Sequence, residues 1–418
     1  MALCSFVMSK VANYRLQALK IYPIAMALGA AVGLVSMAFL FLVSSLKSII
    51  WTPEHFRGNA LLVVGICAVG GLVVGLLNQA AQRDRVAAHD LTEAISDMEE
   101  MEVKQPPSGR VIFGRASLGI VSLGFGGPLG PEAPVIALVS QLSSRLSGVM
   151  RMARDRAVEL SVAGSLGVLF GVPLVLTGIE DDAKYEGKNA VQKLASRGPE
   201  ILAAISSLAV ITWLLPGAGI HAFHSEVSTE IGFSWGLIWV AIVAAVASAL
   251  GRVLATSLPP IRHYFVEKLP GGPVPIGIVS GLILGSASLM SPLILFSGHH
   301  EIQDMLDRDF GGFQLLLLAL LKLFVVVVCL AGGWYGGQIF PLAFIGSALG
   351  LAINEFTNSS APLAFAAAGF VAASAVGIRK PVLALLLGLL LFPKETWIPM
   401  LLATVIAMAT TDNSAKQH

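Results

Sequence analysis

Long stretches without any Asp, Glu, Lys or Arg run through most of this 418-residue sequence. Ile21–Leu46 and Ile231–Gly251 are two examples. Each is long enough for a helix that crosses the hydrocarbon core of a bilayer, which takes about 20 apolar residues. Charged residues make up 13% of the chain, whereas about 25% is typical of soluble globular proteins. The pattern therefore predicts an all-α integral membrane protein with several spans.

The charges outside these stretches limit the partners and the location of the protein. The formal net charge is +1, which does not favour a nucleic-acid partner. Lys10, Arg15 and Lys20 precede the first apolar stretch without any acid among them. By the positive-inside rule, they favour a cytoplasmic N-terminal segment over residues 1–20. We expect a multi-pass protein of a cell membrane, with a bacterial inner membrane as its location.

The sequence also contains a weak internal repeat. Gly130–Pro134 and Gly337–Pro341 both read G-x-x-x-P, and they are separated by 337 − 130 = 207 positions. Arg115 and Lys322 precede them at the same separation, since 322 − 115 = 207. Such landmarks, recurring in order at one offset, predict two related halves. The predicted organisation is an N-terminal segment 1–20, a first membrane repeat 21–225, a second membrane repeat 226–411 and a tail 412–418.

The two G-x-x-x-P segments interrupt apolar stretches, which predicts helices that begin inside the bilayer. Irregular backbone at that depth is tolerated where it is buried or lines a wet cavity, and paired breaks in two repeats point to a transporter's binding site. The first turn of a helix presents free backbone N–H groups at the positive end of the helix dipole. Such an end holds an anion without a full positive charge, so the ion can leave again. The predicted anion-binding residues are Gly130, Pro131, Ala133, Gln338 and Ile339.

Glu132 is the candidate gating residue. It is the only charged residue between Arg115 and Arg145, and an ionisable side chain inside a span is a functional hypothesis by default. When ionised, it would compete with the anion for the site; when protonated, it would leave and admit the anion. A carboxyl that exchanges protons in this way would also carry them. The alternative is a glutamate that only satisfies the backbone at its own helix start.

In these segments the sequence resembles the CLC chloride channels and chloride/proton antiporters. Gly130–Pro134 (GPEAP) stands where the family has G-K/R-E-G-P, and Gly337–Pro341 (GQIFP) stands where it has G-x-F-x-P. Gly171–Leu176 (GVPLVL) is similar to its N-A-P-L-x-G-x-L-F stretch, and Ile378–Val382 (IRKPV) to its I-R-A-P-L stretch. The resemblance covers most of the chain.

The resemblance implies a CLC-like fold, with two inverted repeats whose broken helices meet at a central anion site. It implies a homodimer with one anion pathway per subunit, and a role for Glu132 as the external gate. Antiporters of the family also use an internal proton glutamate, for which Glu180 and Asp181 are the candidates here. The alternative for these two acids is a solvated loop.

Several positions depart from the family pattern. Pro131 replaces the basic residue of the first signature, Ala133 replaces its second Gly, and Ile339 replaces the Phe of the second signature. The serine that contacts the anion in the family is expected near Arg85–His89, where this chain has none. The late tyrosine ligand of the family has no match either. These departures leave the selectivity for the anion open.

The functional alternatives are therefore as follows. Chloride is the default anion, and fluoride or another anion is the alternative. Passive conduction and proton-coupled exchange are both open. A non-transporting membrane scaffold or an intramembrane enzyme is the alternative of a different class, although no nucleophile with a neighbouring base is found. No cofactor or metal site is predicted, and His299–Glu301 is interpreted as a polar helix start. Arg115 and Lys322 would either make the pathway more positive or reach an interface by snorkelling.

Overall fold

The computed structural model describes residues 2–51, 59–83, 107–150, 152–171, 197–214, 223–224 and 235–415. For 2–20, 82–83, 235 and 412–415 it describes the backbone alone. This part of the chain is built from α-helices and short turns. The helices are α1 (Ala2–Ile50), α2 (Ala60–Arg83), α3 (Gly109–Gly124), α4 (Glu132–Leu146), α5 (Arg154–Phe170), α6 (Gly198–Leu214), α7 (Trp235–Lys268), α8 (Pro273–Ser288), α9 (His299–Asp307), α10 (Gly312–Ala331), α11 (Ile339–Phe356), α12 (Pro362–Gly377), α13 (Pro381–Leu391) and α14 (Trp397–Ala415). Short 3-10 turns lie at Pro292–Ile294 and Lys394–Thr396.

Five of the described helices contain a stretch that is long and apolar enough to cross a membrane. These stretches are Ile21–Ile50, Ala60–Ala81, Gly236–Lys268, Gly312–Ala331 and Ile339–Phe356. Shorter apolar helices accompany them, among them α6, α8, α12 and α13. Since a polar backbone can enter a bilayer when its hydrogen bonds are satisfied within a helix, this composition fits the predicted all-α membrane fold.

The helices pack as two compact units. The first contains α1 as far as Ala38, α4 from Val139 onward, α5 and α6. Within it, Gly29 of α1 lies so close to the backbone of Ala203 in α6 that a Cβ at Gly29 would overlap it. Small residues at such contacts let helix backbones approach, which is the usual way helices pack in membranes.

The second unit contains α1 from Phe39, α2, α3, the beginning of α4, and α7 to α14. Helix α2 packs against α8, and α11 packs against α10 and α12. Glycines lie at both contacts, Gly71 against Gly277 and Gly346 against Gly369. Most of α11 is enclosed by its neighbours. The candidate site lies in this unit, and α11 supplies one of its walls.

Two connections inside the second unit end one helix and start the next without leaving the interior. The first leads from α3 to α4 and turns at Gly126, whose φ is +88°. The second leads from α10 to α11 and turns at Gly333, whose φ is +84°. Glycine takes up this left-handed backbone without the steric cost of a side chain. As a result, α4 begins at Glu132 and α11 begins at Ile339, and both residues are buried.

Candidate functional site

The two interior connections meet in an antiparallel bridge between Gly130 and Gly337. The N–H of Gly130 donates to the carbonyl of Gly337 at 2.9 Å, and the N–H of Gly337 donates back to the carbonyl of Gly130 at 2.7 Å. Each glycine thus satisfies both main-chain groups of the other where no water is available. The bridge fixes the starts of α4 and α11 side by side.

The carboxylate of Glu132 lies at the beginning of α11. Its Oε1 accepts a hydrogen bond of 2.9 Å from the N–H of Ile339, and the amides of Phe340 and of Glu132 itself also interact with it. The Glu132 side chain is fully buried, and its Oε2 has no hydrogen-bond partner among the described residues. A negative group therefore lies at the positive end of a helix, which is the usual place for a bound anion.

Two glycines make room for this carboxylate. A Cβ added to Gly130 or to Gly337 would overlap the carboxyl group of Glu132. The bridge residues therefore form a notch in the backbone that any larger residue would fill. A notch of this kind, lined by backbone and closed to solvent, suits a small dehydrated ion or one carboxylate.

The other residues predicted for the site lie close by along the two segments. Ala133 and Gln338 are buried, and Pro131 is partly buried. The carbonyl of Pro131 accepts the N–H of Val135 at 3.0 Å, and Pro131 immediately precedes Glu132, the first residue of α4. Pro131 has no N–H to donate. The donor to the Glu132 carboxylate that the structure shows directly is therefore the amide of Ile339.

Polar side chains from neighbouring helices hold the second segment. Asn78 of α2 donates through Nδ2 to the carbonyl of Gly333 at 2.8 Å, and Ser122 of α3 accepts the N–H of Tyr335 at 2.9 Å. Both side chains are buried. Each replaces a hydrogen bond that the broken helix has lost. Neither residue was predicted, because neither is distinctive in the sequence: Asn78 stands next to Gln79, and Ser122 shares its stretch with Ser117.

The first segment is held in a similar way. Trp51 donates through Nε1 to the carbonyl of Gly124 at 2.8 Å. Phe296, in the connection between α8 and α9, donates its N–H to the carbonyl of Gly126 at 3.1 Å. Phe296 itself has a φ of +58°, which is unusual for a residue with a bulky side chain. The connection that carries Phe296 is therefore part of the support of the site.

Lys322 is fully buried in α10, which makes the interpretation of a side chain snorkelling to an interface wrong. Its ammonium lies 4.8 Å from the ring centroid of Phe344 in α11. Four consecutive main-chain carbonyls lie 2.7 to 3.1 Å from Nζ, and its three N–H groups are shared among them; they are the carbonyls of Leu293, Ile294, Leu295 and Phe296. A buried ammonium is costly unless its hydrogen bonds are made, and here these carbonyls make them. Lys322 therefore ties the connection that carries Phe296 to α10.

Three further predictions concern other parts of the chain. Glu180 and Asp181, the candidates for an internal proton acceptor, lie outside the described residues. So do positions 85–89, where the family has its serine ligand. Within the described part, no group of three or more His, Cys, Asp or Glu residues could hold a metal ion.

Comparison with known proteins decides the family. The sequence model of the family described as voltage gated chloride channel matches residues 70–412. This chain belongs to the voltage-gated chloride channel family. The resemblance found in the two G-x-x-x-P segments is thereby confirmed, and so is transport of a small anion as the function of the CLC protein.

A relative in Escherichia coli O1:K1 is named ion-transport protein YfeO. It is 29% identical over 403 residues, which is 93% of this chain and 88% of the relative. Relatives of the same name in other Escherichia coli strains, such as S88, show the same identity and coverage.

Two solved structures show the fold. One is a slow cyanobacterial Cl⁻/H⁺ antiporter, with a TM-score of 0.76, 18% identity, and coverage of 93% of this chain and 94% of that one. The other is a CLC-type fluoride/proton antiporter, with a TM-score of 0.73, 18% identity, and coverage of 94% and 95%. The all-α CLC membrane fold is thus confirmed.

Proposed function

We propose that this CLC protein passes a small inorganic anion through the notch at Gly130 and Gly337, and that Glu132 gates the passage. The observation that carries the proposal is the hydrogen bond from the Ile339 amide to the buried Glu132 carboxylate. The carboxylate occupies the position in which an anion would find the same donor. Chloride is the default ion.

The gate works by competition. The ionised carboxylate fills the notch and binds the amide of Ile339, so that no anion can bind there. Protonation removes its charge and weakens its attraction to the positive end of α11, which carries roughly half an elementary charge. The side chain then leaves, and an anion takes its place at the same amide.

Fixed charges do not complicate this exchange. No described Lys or Arg forms an ion pair or a hydrogen bond with Glu132. The buried ammonium of Lys322 in α10 donates its hydrogen bonds to main-chain carbonyls. An anion held by backbone amides binds strongly enough to enter and weakly enough to leave.

Proton coupling follows from the same residue. A carboxyl that must be protonated before an anion binds carries a proton in each cycle, which favours exchange over passive conduction. Similar folds include both a chloride/proton and a fluoride/proton antiporter. Fluoride is therefore the alternative to chloride, and Glu180 and Asp181 remain candidates for the internal proton acceptor.

Flux from proteoliposomes tests the proposal. The wild type, Glu132→Gln, Glu132→Ala and the control Glu395→Gln, an exposed glutamate near the start of α14, are each loaded with chloride or with fluoride. We expect anion efflux from all four, and anion-driven proton movement in the wild type and the control alone. Proton movement that survives in Glu132→Gln would remove Glu132 from the gate. The absence of efflux of either anion from wild type and Glu132→Ala would favour a membrane scaffold.

The assembly and orientation complete the proposal. The protein is a homodimer in a bacterial inner membrane, with one pathway per subunit and its N-terminus in the cytoplasm. The support comes from family membership and from the basic residues before the first span. Cross-linking of the reconstituted protein, and labelling of a single cysteine placed at Ser9 from either side of the membrane, test the two statements separately.

A further inference from the structure

A group of ionisable side chains lies beside the start of α11 and has no part in the gate described above. Its members are Lys47 of α1 and the first three residues of α9, His299, His300 and Glu301. His300 is exposed, and the other three are half-buried. The sequence alone suggested a polar helix start here, but the contacts of His299 assign it a more specific position.

The imidazole of His299 packs directly on the wall of the site. Its ring lies 4.9 Å from the ring of Phe340, centroid to centroid, and Phe340 follows Ile339, the donor to Glu132. The ring of the exposed His300 lies 3.8 Å from that of His299. His299 therefore contacts both a solvent-exposed residue and the first turn of the helix that binds the gate.

The two nitrogens of His299 have different surroundings. Nδ1 forms a hydrogen bond of 2.8 Å with the hydroxyl of Ser297. Nε2 makes no hydrogen bond with a described residue, and it is not among the fully buried polar atoms. When the hydroxyl donates to Nδ1, the proton of the neutral ring must be on Nε2. An anion can only accept a hydrogen bond, so an anion bound at Nε2 favours the tautomer that carries its proton on Nε2.

The surroundings keep this ring neutral. Burial, the neighbouring His300 and the positive charge of Lys47 lower the pKa of His299 to about 3. Lys47 lies with its Nζ 3.6 Å from the ring centroid of Phe296, and Glu301 is within electrostatic reach of it. A neutral N–H donor next to a cation suits brief contact with an anion, because the cation attracts the ion and the donor does not trap it.

We propose that His299 is an outer ligand for the transported anion, which its Nε2–H holds beside Phe340 before the ion passes to the Ile339 amide. This inference rests on the proposed function and adds a second ligand to it. The ligand is the same small inorganic anion. Ser297 is a positioning residue, because it acts by setting the tautomer of His299.

Three variants test the inference in proteoliposomes. His299→Phe keeps a ring on Phe340 and loses the N–H donor, His299→Gln keeps a donor, and Ser297→Ala leaves the ring without its partner at Nδ1. The control is His263→Phe, a well-exposed histidine of α7. The measured quantities are the initial efflux rate at saturating anion and the anion concentration that gives half of that rate. Gel filtration of each purified variant shows whether it is folded.

Loss of one neutral hydrogen bond changes binding by about three- to tenfold. We expect His299→Phe to raise the half-saturating concentration by that factor, with the saturating rate changed by less than about twofold. His299→Gln should recover most of the loss, and Ser297→Ala should show a smaller rise. Because the ring stays neutral, the effect should be equal at pH 5.5 and pH 7.5.

Two results would overturn the inference. One is a half-saturating concentration in His299→Phe equal to that of the wild type and of His263→Phe. The other is an equal rise in His299→Phe and His299→Gln, which would assign the residue to packing alone. If His299→Phe does not fold, Ser297→Ala decides: a half-saturating concentration equal to that of the wild type rejects the ligand. Each of these outcomes leaves the role of Glu132 intact, since that role is read from proton movement in Glu132→Gln.

Discussion

Glu132 and Ile339 lie 207 positions apart in the chain and meet through a hydrogen bond of 2.9 Å. Each is the first residue of its helix, and the separation equals that of the two G-x-x-x-P segments. The two G-x-x-x-P segments therefore contribute different parts at equivalent positions. One contributes a carboxylate, and the other contributes a bare amide that binds it.

The glycine notch gives the first prediction. Gly337→Ala should reduce anion efflux by about tenfold or more, because the added methyl group takes the place in which carboxylate and anion alternate. The matched control is Gly65→Ala, since a Cβ at Gly65 of α2 meets nothing within 4 Å. The double variant Gly337→Ala/Glu132→Ala should be equally slow. Recovery of efflux in the double variant would show that the methyl group only displaces Glu132.

The pH dependence of efflux gives the second prediction. In the wild type, acidification should increase anion efflux, because a protonated Glu132 leaves the notch. Glu132→Gln cannot ionise, so its efflux should be the same at pH 5 and pH 8. The measurement is the initial rate of efflux at symmetrical pH. A wild-type rate that is independent of pH, or a variant rate that still changes with it, would contradict the competition mechanism.

The buried ammonium of Lys322 gives the third prediction. Lys322→Met removes the donor from four carbonyls and should destabilise the protein by about 3 kcal/mol or more, since hydrogen bonds to a charged group contribute about 1.5 to 3 kcal/mol each. Thermal unfolding in detergent measures this, with Lys394→Met as the control at an exposed lysine. Equal unfolding temperatures for the two variants would show that these hydrogen bonds do not contribute to stability.

The hydrogen bond from Asn78 to the carbonyl of Gly333 gives the fourth prediction. Asn78→Leu leaves the carbonyl of Gly333 without its donor in a buried place, which costs about 1 to 3 kcal/mol. The segment that leads to the bridge should also loosen, so we expect both a lower unfolding temperature and slower efflux. Gln79→Leu, at the exposed neighbouring position of α2, is the control. Efflux unchanged in Asn78→Leu would assign the residue to stability alone.

The amino-acid sequence is sufficient to find the two broken segments. It is not sufficient to find the side chains that hydrogen-bond to their main chain. The breaks are visible because glycine and proline are local signals, and the constant offset of 207 pairs Gly130 with Gly337. Asn78 and Ser122 are not visible in this way, since their partners are main-chain groups in distant segments. Side-chain to main-chain contacts of this kind leave little trace in a single sequence.

Lys322 illustrates a different limit. From sequence alone, a lysine upstream of a broken helix has an electrostatic and an interfacial interpretation. The structure shows a third arrangement, in which a charge is buried against carbonyls of the connection after α8. It depends on the path of a loop, and loop paths do not follow from hydrophobic patterns.

The bridge between Gly130 and Gly337 also has a consequence for how the protein is made. The first segment cannot complete its hydrogen bonds until the second has been synthesised and inserted, 207 residues later. At about 5 to 20 residues per second, this delay is on the order of 10 to 40 seconds. During that time Glu132 is an unpaired acid in a half-built membrane protein, and it must remain near water or the translocation machinery. Nascent chains truncated before Gly337 should therefore be recognised and degraded as incomplete.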